Sequence, residues 1–284
     1  MTVIVVGAGI AGLACARELV DAGVPARVVE RGPAVGGRLA SLRLNGRQVD
    51  VGAAYITADD RAFHGRMQTW RIDGLARPWT DTFRGQQGPA TMRWSAPGGL
   101  RGLAEDLARE LDVTLNTEVA ALPAAETVVL AMPGPEALRI AALPAAREQS
   151  WSPVLTAVLT YPRRVWPDFH GVFVNDHPIL ATVCDDGDRR GDRAPVLVAH
   201  STPEFAGGDA AKLAEAVNHL LDLADPPEIV KVAWPYALPR SVPGSFAREG
   251  DVYLCGDAFG RPRVQTAWLS GRAVARDILS RRQS

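Results

Sequence analysis

The first 38 residues limit what this chain can fold into more than any other stretch. Val3-Ile4-Val5-Val6 is a short β-branched run, and Gly7-Ala8-Gly9-Ile10-Ala11-Gly12 follows it without a gap. A helix-forming stretch, residues 13–22, comes next, then a second apolar strand, Ala26-Arg27-Val28-Val29, closed by Glu30. In a dinucleotide-binding βαβ unit, Gly7 permits the tight turn, Gly9 lets the backbone approach a pyrophosphate, and Gly12 lets helix and strand pack closely. Ile10 and Ala11 open the helix, whose free N–H groups and dipole favour an anion. Glu30 stands 18 residues after Gly12, the distance at which a carboxylate reaches an adenosine ribose.

A second glycine pair with a cation, Gly36-Gly37-Arg38, follows the acid. A plain nicotinamide domain has no need of it. A cofactor lying extended inside the protein uses a further close backbone approach and an arginine near its phosphates. The segment from Glu30 and Arg31 to Arg38, ERGPAVGGR, resembles the FAD fingerprint of the flavoprotein superfamily that includes amine oxidases, carotenoid desaturases and renalases. Near the other end, Val252-Tyr253-Leu254-Cys255 reads as a strand, Gly256-Asp257 stops it, and residues 264–280 carry a 3.6-residue apolar stripe. This strand–Gly-Asp–helix order is the second half of the resemblance. It implies Asp257 on the ribityl chain and the backbone of Val264, Gln265 and Thr266 facing the flavin, where a helix N-terminus stabilises negative charge near N1.

Two further stretches are similar to renalases in particular: Val49-Asp50-Val51-Gly52-Ala53-Ala54-Tyr55-Ile56-Thr57, and Val232-Ala233-Trp234-Pro235-Tyr236-Ala237-Leu238-Pro239. They add Gly52 and Ala53, with Val119, to the expected cofactor contacts. They also put Trp234 and Tyr55, accompanied by Trp268, on the substrate side of the flavin. If 231–234 is a regular strand, Val232 and Trp234 share a face and Lys231 points away.

The resemblance implies an α/β fold: a Rossmann-like FAD-binding domain of the glutathione-reductase type, interleaved with a smaller substrate domain on a mostly antiparallel sheet. The expected segments are 1–50, 99–150 and 245–284 for the first, and 51–98 and 151–244 for the second. The activity implied is an FAD-dependent oxidase that takes hydride onto flavin N5. Its substrates would be isomeric dihydro-NAD(P), giving NAD(P)+ and, with molecular oxygen, hydrogen peroxide. An amine or polyamine oxidase, or a desaturase, fits the same motifs, and a catalytically silent binding protein on this scaffold is a third reading. Non-covalent flavin is expected, because Cys255 precedes Gly256-Asp257 on a buried strand, where a small apolar role suits it.

Composition removes other classes. A net charge of −1 gives no footing for nucleic acid or an anionic membrane. Three widely spaced cysteines without a CxxC indicate neither a disulfide framework nor a zinc site, so no metal and a cytoplasmic setting are expected. No stretch approaches the ~20 apolar residues of a membrane helix. The apolar start lacks a positive n-region, and cleavage after residue 16 would remove the glycine motif. Between the motifs, periodicity predicts helices at 99–111, 136–142 and 210–223. Strands are expected at 113–115, 127–131, 154–161, 171–174, 196–200 and 229–234, and one starting at Glu118-Val119. The charged stretch 185–193 reads as an exposed loop.

Overall fold

The computed structural model describes residues 3–283. A six-stranded sheet carries the nucleotide side. Its order is Ala247–Glu249, Val252–Leu254, Thr127–Leu130, Val3–Val6, Ala26–Val29, Asp112–Thr114, and every pair is parallel except the first. The first strand of the chain is central. Its continuous β-branched run suits a strand buried on both faces, and Val3 and Val5 are fully buried. The helix Ile10–Asp21 covers one face and lies against the C-terminal helix Val264–Gln283. The two approach so closely that a Cβ on Gly271 would collide with the Ala11 carbonyl oxygen. Arg272 and Arg276 pair with Glu18 across the crossing.

The second sheet has five antiparallel strands in the order Gly171–Phe173, Leu180–Asp185, Val196–Ser201, Trp151–Thr160, Glu228–Pro239. The helix Ala210–Leu221 packs Leu213, Ala214 and Val217 against Leu155, Leu159 and Leu197 on one face. The other face meets the hairpin Ser41–Leu44/Arg47–Asp50, where Val158, Val196 and Val198 bury Val49 and Val51. Asn45 and Gly46, both at positive φ, make the tight turn of that hairpin. The mixed architecture of a Rossmann-like domain with a separate antiparallel sheet agrees with the fold expected from the motifs.

Several local expectations change. Glu118 and Val119 form no strand; Val119 is a partly buried side chain against the Val128, Leu130 and Leu143 cluster. The helix expected at 136–142 is a single turn, Gly134–Ala137, and that at 99–111 is Arg101–Ala108. A helix absent from the sequence reading, Arg61–Ile72, is capped by Asp60 and drives Phe63, Met67 and Trp70 into the nucleotide-side core. That part of the 51–98 stretch therefore packs with the dinucleotide sheet. The largest correction concerns 185–193. Residues 186–190 form a short helix, Asp186–Arg190, in which Asp186 and Arg189 are completely buried. Charge alone suggested solvent, but Asp185, Asp186, Arg189 and Arg190 each have an opposite charge beside them inside the protein, and only residues 191–193 are exposed.

Candidate dinucleotide cleft

The glycine turn lies at the carboxyl ends of the parallel strands, beside the point where strand order reverses, which is where open α/β sheets bind ligands. Gly7 N–H donates to the Val29 carbonyl and Ala131 N–H to Val6, so both neighbouring strands fix the turn. A Cβ on Gly12 would collide with the Gly7 oxygen. Gly9 caps the first helix without a side-chain hydrogen bond, leaving the first-turn N–H groups of Ile10, Ala11 and Gly12 for a ligand. A Cβ built on Gly9 would meet nothing within 4 Å. The loop thus faces open space.

Glu30 ties the glycine turn to its own loop: its carboxylate accepts from Ala8 N–H at 2.8 Å and from Gly32 N–H at 2.7 Å. Gly36 donates to the Ala8 carbonyl with φ at +116°, a conformation open to glycine and strained for other residues. Gly37 lies against Gly9, and Arg31 is on the surface, paired with Glu136. Arg38 reaches across the molecule. Its guanidinium donates to both oxygens of Asp257, at 2.7 and 2.6 Å, and to the Ala237 carbonyl at 3.1 Å, and it lies 5.0 Å from the Trp151 ring centre. The Ala237 carbonyl is available because the strand Glu228–Pro239 changes register against its neighbour between Trp234 and Leu238. The 93% buried Asp257 therefore meets the N-terminal motif directly.

The start of the last helix is arranged differently from its neighbours. Gln265 turns its side chain to the loop before Arg61–Ile72, accepting from Asp59 and Asp60 N–H at 2.8 and 3.0 Å. Thr266 Oγ1 donates to the Arg261 carbonyl. Only the backbone N–H groups of Val264, Gln265 and Thr266 remain for a ligand. Cys255 is buried, and burial pushes its thiol up to about 12, so it stays protonated and unreactive.

The segment 50–55 joins the two sheets. Ala53 N–H donates to the Arg38 carbonyl, against which any side chain on Gly52 would collide. On the other side, four carbonyl acceptors between Asp50 and Ala54 are held from the second sheet and its helix. Arg189 donates to the carbonyls of Asp50 and Ala54, Trp234 Nε1 to Val51 at 2.9 Å, and His200 Nε2 to Gly52 at 3.1 Å. Burial, with the nearby Arg189 charge, lowers the His200 pKa to about 4, so the ring is neutral and its Nε2 carries the proton. Asp186 in turn binds Arg47, Arg189 and Arg190. Its burial opposes ionisation, but the three guanidinium groups prevail and hold its pKa below the usual carboxylate range.

Trp234 shares a face with Val232 and Lys231 is exposed, as the alternation required. Yet Trp234 spends its N–H on the joint and packs in the apolar seam with Val49 and Val51. Tyr55 stands further along, edge-on to Phe83 at 5.3 Å. Trp268 is a core aromatic, buried against Phe63 and over Arg272. Arg189 and His200 escaped the sequence reading; a histidine or arginine inside an apolar strand pattern was the available signal for His200 alone.

The residues present fit an extended dinucleotide: an open space before the loop, uncapped N–H donors, and a carboxylate at the end of the second strand. Comparison with known proteins agrees. Residues 5–71 match the NAD(P)-binding Rossmann-like domain family. Over 58 residues the chain is 47% identical to the phytoene dehydrogenase of Streptomyces griseus, a segment covering 20% of this chain and 11% of that enzyme. A putative protoporphyrinogen oxidase from Exiguobacterium sp. 255-15 superimposes with a TM-score of 0.76 at 15% identity, covering 98% of both chains. A putrescine oxidase bound to putrescine gives 0.72 at 16% identity, covering 99% of both. No helix among the described residues is long and apolar enough to cross a membrane. The chain shares the two-sheet fold of these oxidases and carries an NAD(P)-binding Rossmann-like domain at residues 5–71.

Proposed function

We propose that this chain is an FAD-dependent oxidoreductase that takes hydride from a reduced small molecule. The observation that supports this best is the meeting of two motifs 219 residues apart, Arg38 gripping Asp257 through both oxygens. A nicotinamide domain alone needs no such closure at the far end of its cleft. In this reading Glu30 holds the adenosine ribose, and the N–H groups of residues 10–12 with Arg38 hold the phosphates. Asp257 accepts from the ribityl hydroxyls, and the first turn of Val264–Gln283 faces the pyrimidine edge. When bound, the flavin supplies a hydride acceptor at N5 and returns the electron pair to oxygen. The residues of the chain position and shield: the 50–55 segment, held at four carbonyls, forms a fixed wall on which the substrate is oriented. No strong general base is required where the substrate itself donates hydride.

For the substrate, the similarity of 49–57 and 232–239 to renalases favours isomeric dihydro-NAD(P), oxidised to NAD(P)+ as oxygen becomes hydrogen peroxide. An amine oxidase is the competing reading, since a putrescine oxidase shares the fold. The purified protein should be yellow and release FAD on denaturation. Mixing with dihydro-NAD isomers reduced at the 2 or 6 ring position under nitrogen should bleach it, and air should restore the colour with peroxide formed. Protein that stays colourless after incubation with FAD would refute the cofactor; bleaching by putrescine but by no dihydronicotinamide would move the substrate to the amines.

A further inference from the structure

Beside Tyr55 lies a buried arginine that neither the nucleotide motifs nor the joint employs. Arg93 is 5% exposed, and its guanidinium carbon lies 4.4 Å from the Phe83 ring centre, 5.0 Å from Tyr55 and 5.6 Å from Phe173. Three rings around a cation at such distances make an aromatic cage of the kind that captures alkylammonium groups. Here the chain's own cation fills it.

Its hydrogen bonds go to neutral acceptors, the carbonyls of Asp81 at 2.9 Å and Thr91 at 3.3 Å and the Gln86 side chain at 2.7 Å. Nε has no partner, and no carboxylate among the described residues forms an ion pair with it. Buried charges are normally matched by an opposite charge. An unmatched one leaves a positive field in the low-dielectric space around it.

Phe173 is a shared wall. It also lines a cavity of about 430 Å3 with Asn175, His177, Thr182 and Thr202, and with the exposed Asp176. Thr182 contacts the ring of His200 at 3.0 Å, and His200 holds the Gly52 carbonyl, so one imidazole ring links the cavity lining to the 50–55 wall. His177 Nδ1 accepts from the N–H groups of Ile179 and Leu180, which leaves the neutral ring's proton on Nε2 as a donor.

The geometry points to an anionic substrate, carrying a carboxylate or phosphate, in the cavity that shares Phe173 and the loop around Gln86 with the Arg93 cage, with Arg93 as the residue that selects anions and turns amines away. This rests on the reading of the chain as an oxidoreductase of small molecules, and it decides between the two substrate classes left there.

Four probes with one aromatic ring and different charge test it: benzoate, phenyl phosphate, benzamide and benzylamine, titrated into the purified protein by calorimetry. Both anions, or one of them, should bind about tenfold tighter than benzamide, with benzylamine weakest; which anion leads separates carboxylate from phosphate substrates. Arg93→Lys should keep the order and Arg93→Gln should erase it. Gln retains a donor for the loop carbonyls, and a melting curve for each variant shows that the fold is kept. Should Arg93→Gln unfold, the wild-type order together with that of Arg93→Lys decides. Benzylamine binding as tightly as benzoate, no binding by any probe, or an unchanged order in folded Arg93→Gln overturns the inference. Calorimetry needs no colour: colourless protein with an Arg93-dependent preference would sink the flavin reading alone, and yellow protein without the preference would sink this one alone.

Discussion

Residues 7–12 hold their shape with almost no side chain, whereas residues 185–190 hold theirs with little else. In the glycine turn, neighbouring strands fix the backbone and the space in front of Gly9 stays open. In the short helix, a buried aspartate gathers three arginines, and Asp185 gathers Arg164 and Trp166 beside it. The first is a surface prepared for something else. The second is closed on itself and serves as a post from which Arg189 holds the cleft wall. In the proposed reading, binding and structural rigidity thus fall to different chemistries on the two sides of one cleft.

Removing the post should have the largest effect. Asp186→Ala leaves the buried Arg189 without its ion-pair partner, while Arg190 keeps Asp50 and Arg47 keeps Asp192; breaking a buried pair is a class of change that costs about 3–5 kcal/mol. Thermal melting of cofactor-free protein should show a large drop; an unchanged Tm would mean that the buried network contributes nothing net. On the other side of the comparison, Glu30→Ala should lower the melting temperature of cofactor-free protein less than Asp186→Ala does, since only the Ala8 and Gly32 N–H groups lose their acceptor, and should raise the FAD dissociation constant. Each charge-assisted hydrogen bond lost is worth about 1.5–3 kcal/mol, roughly a tenfold to hundredfold change. An unaltered dissociation constant would remove Glu30 from the ribose.

Legibility followed the same division. The strand–turn–helix–strand–acid run and Gly256-Asp257 act through local backbone geometry, so their spacing could be read directly. The closure of Arg38 on Asp257 is long-range, yet each member was visible within its own motif. Residues 186–190 were misread because Asp186 finds Arg47 139 positions away, and no local pattern records that pairing. The helix Arg61–Ile72 was a different kind of miss. Asp60 before Phe63, Met67 and Trp70 is a cap followed by a regular apolar spacing, a signal that local reasoning could have used. Tyr55 was singled out as an aromatic near the substrate; its neighbour Arg93 carries no motif and gains meaning only from rings contributed by Phe83 and Phe173.

His200 lies where the two chemistries meet and supplies the smallest predicted effect. Its pKa falls from 6.5 to about 4 on folding, so the unfolded chain binds the proton more readily. Stability should therefore be intact above pH 6.5 and decline as the pH drops toward 4, by on the order of 1–2 kcal/mol for this partly accessible ring. Relative to wild type, His200→Gln should show a shallower loss of Tm across that window. Parallel pH curves for the two proteins would assign the acid sensitivity elsewhere.

The close crossing of Gly271 over Ala11 has a consequence for synthesis. The helix Ile10–Asp21 leaves the ribosome long before Val264–Gln283, the surface it leans on. A nascent chain can pair its early strands, yet the groove beside Ala11 stays exposed to water until residues around 271 have emerged. Closure of this helix pair therefore waits for the residues near 271, and products that stop short of them should leave the Ala11 face open to water.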